Sequence, residues 1–164
     1  MKYFKISLLI LYIILSKTLN AQSKKDIRNN KIQTSTSIIT TFDNGNEVSY
    51  KDNYTVYDKN GNIIEETEYF SNGTIKLKKS YKYNSDKNKT EETEYDGKTK
   101  NTIKTIFSYN SNGYKISEVV YDGNGKFLRK SIFLYDKNGI RTERKTFDEN
   151  NKLISVKKYI YTKK

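Results

Sequence analysis

The chain has 164 residues, 31 Lys+Arg against 19 Asp+Glu, and a formal net charge of +12. It has no His, Cys, Pro or Trp. Disulfides, thiolate nucleophiles, Cys-based metal sites and Ser-His-Asp or Cys-His catalysis are therefore excluded, and the length suits one ordinary domain.

In chain order, residues 1–21 have the three parts of a secretory signal. Lys2 and Lys5 are a positive start, Ile6 to Leu15 is apolar except for Ser7, and Ser16 to Ala21 turns polar and ends on a small residue. The apolar run is too short to span a bilayer as a helix. Cleavage after Ala21 would leave Gln22 first, and the Leu-Asn-Ala-Gln junction resembles Bacteroidetes-type export signals. No Cys follows, so a lipid anchor is not expected. The mature chain is expected to be soluble, with no transmembrane segment, in the periplasm, on the outer surface or secreted. The signal carries Lys2, Lys5 and Lys17, so the remainder has a charge of +9. Residues 22–36 show no periodicity and read as a flexible leader.

Residues 37–164 read as a β-hairpin repeat domain. An aromatic residue precedes each polar turn, at Tyr57, Tyr69, Tyr83, Tyr95, Tyr109, Tyr121, Tyr135, Phe147 and Tyr161, with spacings alternating 12 and 14. The unit is 26 residues in two halves. Phe42 begins a looser half-unit before the array. Tyr57-Asp58-Lys59-Asn60-Gly61 shows the turn chemistry: Asp or Asn bonds its own backbone, and Gly supplies positive φ. Gly61, Gly73, Gly113, Gly125 and Gly139 each stand four residues after an aromatic mark. Lys87, Thr99 and Asn151 replace Gly there, and Gly97 offers compensation in the fourth turn.

Between turns, apolar and polar residues alternate. Ile75, Leu77, Tyr81 and Tyr83 are placed on one face, and Lys76, Lys78, Ser80 and Lys82 on the other. Leu128, Ile132 and Leu134 suggest a strand covered on both faces. The fold class is all-β: an antiparallel meander of nine or ten strands in an elongated twisted single sheet or an open spiral. Hairpins alternate edges, so Tyr57, Tyr83, Tyr109, Tyr135 and Tyr161 should line one edge. Tyr69, Tyr95, Tyr121 and Phe147 should line the other.

Tyr81-Lys82-Tyr83-Asn84, Phe107-Ser108-Tyr109-Asn110, Phe133-Leu134-Tyr135-Asp136 and Tyr159-Ile160-Tyr161 resemble the Tyr-x-Tyr-Asp signature of YD/RHS repeats. The repeat is also similar to MORN-like repeats of the YwqK-type antitoxin class. The first resemblance implies an extracellular or cell-surface β-repeat protein, of a class in which some members bind carbohydrate. The second implies an immunity protein that neutralises a toxin. Neither implies a catalytic residue.

Charge is uneven along the chain. Residues 22–56 and 57–108 each sum to +1, and residues 109–164 to +7. Glu65-Glu66-Thr67-Glu68 precedes Lys76-Leu77-Lys78-Lys79 on the next strand, an arrangement that reads as cross-strand pairing. Lys126, Arg129, Lys130, Arg141, Arg144, Lys145, Lys157 and Lys158 come from three consecutive strands. They suggest a site for an acidic polysaccharide, lipopolysaccharide or a negatively charged protein, nucleic acid not being expected. Their structural reading is protection of the last strand's edge. Turn tyrosines could stack on sugar rings or simply pack as a seam. Asp58 to Asn62 places its Gly too early for an EF-hand loop. Glu66 and Glu92 recur with the repeat beside Lys neighbours, and no catalytic site, cofactor or metal is expected. The sequence thus points to an exported, non-enzymatic binding module, with an antitoxin-like or a glycan-binding protein as alternatives.

Overall fold

The computed structural model describes residues 23–43 and 46–162; the expected signal segment lies outside them. Among these residues ten strands follow a short helix: α1 (Lys24–Asn29), β1 (Thr34–Asp43), β2 (Asn46–Tyr57), β3 (Ile63–Tyr69), β4 (Ile75–Tyr83) and β5 (Lys89–Asp96). Then come β6 (Thr102–Tyr109), β7 (Lys115–Asp122), β8 (Phe127–Tyr135), β9 (Arg141–Phe147) and β10 (Leu153–Lys158). Each strand pairs antiparallel with its sequence neighbours, in the order β1 to β10, and the sheet stays open. The meander expected from the repeat is the observed fold.

The turns explain the regularity. The residue after most aromatic marks folds its side chain back onto the turn; after Tyr69 it is Phe70, and Asn72 Oδ1 accepts from the Thr74 N–H instead, at 3.0 Å. Asp58 Oδ1 accepts from the N–H groups of Asn60 and Asn62, both at 2.8 Å, and Asp136, Asp122, Asp148 and Asn110 repeat the pattern. The fourth residue takes positive φ, as in Gly61 at 75° and Gly113 at 78°. Lys87 and Asn151 adopt the same conformation without the freedom of Gly, at 65° and 59°. The β5–β6 loop differs from expectation. Its positive-φ residue is Lys100, at 62°, and not Thr99. Gly97 does not supply the turn either. Its N–H donates to the Lys76 carbonyl at 2.9 Å, and a Cβ there would overlap the Ile75 carbonyl. That glycine permits close approach of two turns on one edge.

Most turns leave one extra residue just inside the following strand. Tyr83 pairs with Lys89, yet Lys82 pairs with Glu91, so Thr90 bulges. The same shift occurs after Tyr57, Tyr109 and Tyr135. A bulge reverses the two-residue alternation, so residues i and i+3 share a face. Lys89 therefore meets Glu92, and Lys115 meets Glu118. On β4, register puts Leu77, Lys79, Tyr81 and Tyr83 together, with Ile75 on the near side of a bulge.

A single-layer sheet buries little. Ile27, Val120 and Phe133 are the buried apolar residues among those described, with Thr55, Asn62, Thr67 and Ser131 beside them. Three of these lie on β7 and β8: Val120, and Phe133 and Ser131 at 4% and 1% exposed. Expected coverage of both faces of β8 holds only in part, because Leu134 is 40% exposed. Elsewhere half-buried side chains pair across strands, each pair contributing about 0.2–1 kcal/mol.

The stretch expected as a flexible leader contains ordered structure. Ser23 caps α1 by accepting from the Asp26 N–H, Ile27 is buried, and β1 begins at Thr34. Aperiodic sequence concealed this because the helix is only six residues long. It is held by docking on the first turn, where a Cβ on Gly61 would lie 2.6 Å from the Lys24 carbonyl oxygen. Among the described residues no helix is long and apolar enough to cross a membrane.

Candidate functional site

The first tyrosine series forms a hydrogen-bonded seam. The hydroxyls of Tyr83, Tyr109, Tyr135 and Tyr161 donate to the carbonyls of Ile63, Lys89, Lys115 and Arg141, at 2.7–2.8 Å. Each bond runs twenty residues back, from the start of one turn to the residue that closes the previous turn on the same edge. Tyr57 opens the series against Ser35, at 3.2 Å. Burial pushes the Tyr83 and Tyr109 phenols up. The second series has no equivalent carbonyl bond among the described residues. Tyr69 accepts from Lys51 Nζ at 3.2 Å, Tyr121 packs edge-on against Phe127, and Phe147 has no hydroxyl. Tyr95 opens the atypical β5–β6 loop. The aromatic seam is therefore one-sided.

Inside the seam runs a ladder of cations and rings on one sheet face. Tyr81, Phe107, Phe133 and Tyr159 repeat at 26 residues, and so do Lys89, Lys115 and Arg141. Lys89 lies over Tyr81 and Phe107, at 4.7 and 5.7 Å from the ring centroids. Lys115 lies over Phe107 and Phe133, at 5.0 and 4.8 Å. Arg141 lies over Phe133 and Tyr159, at 4.6 and 5.9 Å. Partly desolvated cation–ring contacts contribute about 0.5–2 kcal/mol each. Carboxylates accompany the ladder at the same period: Glu66, Glu92 and Glu118. Glu66 accepts from the Tyr81 hydroxyl, at 3.0 Å. That contact and burial, burial foremost, hold the Tyr81 phenol well above its ordinary range.

The fourth carboxylate position is Arg144. It reaches back 26 residues to Glu118, at 2.9 Å, and also donates to Ser131 Oγ. Glu118 already pairs with Lys115, at 3.0 Å.

The eight basic residues singled out in sequence do not form one patch. Paired residues share a face, which joins Ser131 to Thr146, Phe133 to Arg144, and Arg144 to Lys157. Arg129, Arg141, Arg144 and Lys157 thus lie on the ladder face. Lys130, Lys145 and Lys158 lie on the opposite face, where Lys145 pairs with Glu143 at 3.2 Å. Lys126 sits at the far edge and pairs with Glu149 at 2.6 Å, which raises its pKa. Strand parity could have separated the two faces in sequence only with the bulges known.

A shallow open groove of about 650 Å³ lies at the second edge, beside Glu94, Asp96, Ile103 and Asp122. Its two aspartates are committed to turns. Asp96 accepts from Lys98 and Thr99 N–H, and Asp122 from Asn124 and Lys126 N–H. The described residues contain no carboxylate group arranged to hold a metal ion. No protein-family model matches the chain, and no curated protein matches it significantly.

Proposed function

We propose that this chain is an exported, non-enzymatic β-repeat protein, YD/RHS-like in its repeat, that acts as an interaction module at the cell envelope or outside the cell. It binds an acidic partner through the ladder face of its C-terminal strands. One observation carries this reading: Arg129, Arg141, Arg144 and Lys157 share a face on which Glu118 is the carboxylate paired with any of them. Earlier repeats balance each ladder lysine with its own glutamate, so the imbalance belongs to the last repeats alone.

Heparin, a soluble polyanion, tests the reading. The protein should be retained on heparin at low salt and released as salt rises, because exposed charges are screened within about 10 Å at 0.1 M. Arg129→Glu with Arg144→Glu should abolish retention while thermal unfolding stays cooperative. Retention unchanged by the double substitution would overturn the assignment.

A further inference from the structure

Every interior aromatic strand of the ladder is flanked on both sides. Phe107 receives Lys89 and Lys115, and Phe133 receives Lys115 and Arg141. Tyr159, just beyond β10, receives Arg141 from the preceding strand and otherwise only Lys157, two residues back along the chain. The buried Nε of Arg141 has no hydrogen-bond partner. Among the described residues nothing pairs with the outer edge of β10. That strand exposes Leu153, Ile154 and Val156. The array thus ends in mid-pattern, with cations that lack the carboxylates their counterparts have.

We propose that the outer edge of β10 accepts an extended segment of an acidic partner protein as an eleventh strand, with carboxylates at alternate positions and aliphatic residues between them. This rests on the acidic-partner reading above and names the partner's form. Sheet edges bind extended peptides through main-chain hydrogen bonds, and alternate side chains supply selectivity. Geometry defines both faces of the incoming strand. Arg144 already spans two strands, from β9 to Glu118 on β7. A strand added to β10 stands equally far from β9 on the other side, about 9.6 Å. Its carboxylates would face Lys157 directly and lie within reach of Arg141 and Arg144. On the opposite face, aliphatic side chains would cover Val156, which is 45% exposed. A second copy fits this edge poorly, because the free β1 edge from Thr34 to Phe42, Thr-Ser-Thr-Ser-Ile-Ile-Thr-Thr-Phe, carries no carboxylate.

The Tyr159 N–H donates to the Thr142 carbonyl on β9, at 3.0 Å. Alternation along the strand therefore points the Val156 and Lys158 N–H groups outward. Proline is tolerated where an edge N–H faces solvent. Val156→Pro should keep the β9–β10 ladder and remove a docking donor. The probe is an eight-residue peptide alternating Glu and Val, fluorescently tagged and titrated with the purified protein. The expected result is saturable binding, weakened at least tenfold by Val156→Pro and by Lys157→Glu, with no binding of a Lys/Val counterpart. Circular dichroism checks that Val156→Pro retains its sheet; should it unfold, Lys157→Glu carries the test. Equal binding of both peptides, binding unaffected by Lys157→Glu, or sedimentation as a head-to-tail oligomer would overturn the proposal. Heparin retention without Glu/Val binding would remove this inference and leave the acidic-partner reading standing. Loss of both would remove the two together.

Discussion

The Tyr109 hydroxyl donates to the Lys89 carbonyl at 2.7 Å, tying the turn that follows β6 to the turn that precedes β5. The carbonyl belongs to a residue beside a bulge, where the regular ladder is interrupted. The seam tyrosine thus satisfies a group that strand pairing leaves short, and the 26-residue period lets the next tyrosine do the same.

Tyr109→Phe should cost about 1 kcal/mol, the usual net contribution of one such hydrogen bond. Tyr121→Phe, on the edge without carbonyl bonds, should change stability by less than about 0.5 kcal/mol. Urea midpoints with unchanged slopes would measure both. Equal losses at the two positions would mean that ring packing, and not the hydroxyl, holds the seam.

Two glycines should respond differently. Gly125 has φ of 82° and open space where a Cβ would stand. Gly125→Ala should cost roughly 1–2 kcal/mol, from backbone conformation alone. Gly97→Ala should cost more despite an ordinary φ, because its Cβ would meet the Ile75 backbone. Thermal unfolding of both variants checks the order, and a milder Gly97→Ala would contradict the close packing of those turns.

Stability should be flat between about pH 5 and 9, since ordinary side-chain carboxyl, phenol and lysine ammonium values lie outside that window and His is absent. Hydrogen bonds from Lys82, then from Lys104, hold Glu91 below its usual 4.5. At Asp58 burial pushes upward and is outweighed by hydrogen bonds from Asn62 and Asn60, leaving it below 3.8. A depressed folded pKa stabilises above the unfolded value and is lost as pH falls through the folded one. Stability should therefore decline below about pH 4.5, and Glu91→Gln should flatten that limb. At the other end, burial keeps Tyr83 and Tyr109 protonated above 10.0. Unfolded phenols ionise first, so stability should fall as pH rises past 10. Chemical denaturation from pH 3 to 11 checks both limbs.

Deleting residues 83–108 should leave a folded protein with eight strands. The junction Lys82–Tyr109 reproduces Lys82–Tyr83, since each unit contacts mainly its neighbours. The deletion also removes Lys87 and Lys100, two side-chain-bearing residues at positive φ. Deleting only 83–95 reverses strand direction at the junction and should abolish cooperative unfolding. Circular dichroism and denaturation together distinguish the outcomes.

Much of the fold was legible in the sequence because its signals are local. Asp58 and Gly61 carry their own turn, and a period of 12 and 14 between aromatics counts strands directly. The alternation of edges follows from antiparallel succession, which is why the tyrosines of both series stand where expected. Lys100 could not be read this way. A loop one residue longer moved the positive-φ position past Thr99, and composition alone does not distinguish two non-glycine candidates. Helix α1 escaped notice for a related reason: six residues carry no period, and the helix is held by contact with the turn at Gly61, distant in sequence.

The sequence by itself determined the repeat, an antiparallel meander of nine or ten strands, most of the turn residues and the excess of charge in the last 56 residues. Tertiary structure decided which charges meet. Extra residues after most turns exchange the faces of a strand, so Lys89 joins Glu92 at a spacing that ordinary alternation would separate. The same parity divides the eight basic residues between two faces and leaves Arg129, Arg141, Arg144 and Lys157 together. Face assignment depends on register, and register depends on hydrogen bonds between strands rather than on any single stretch of chain.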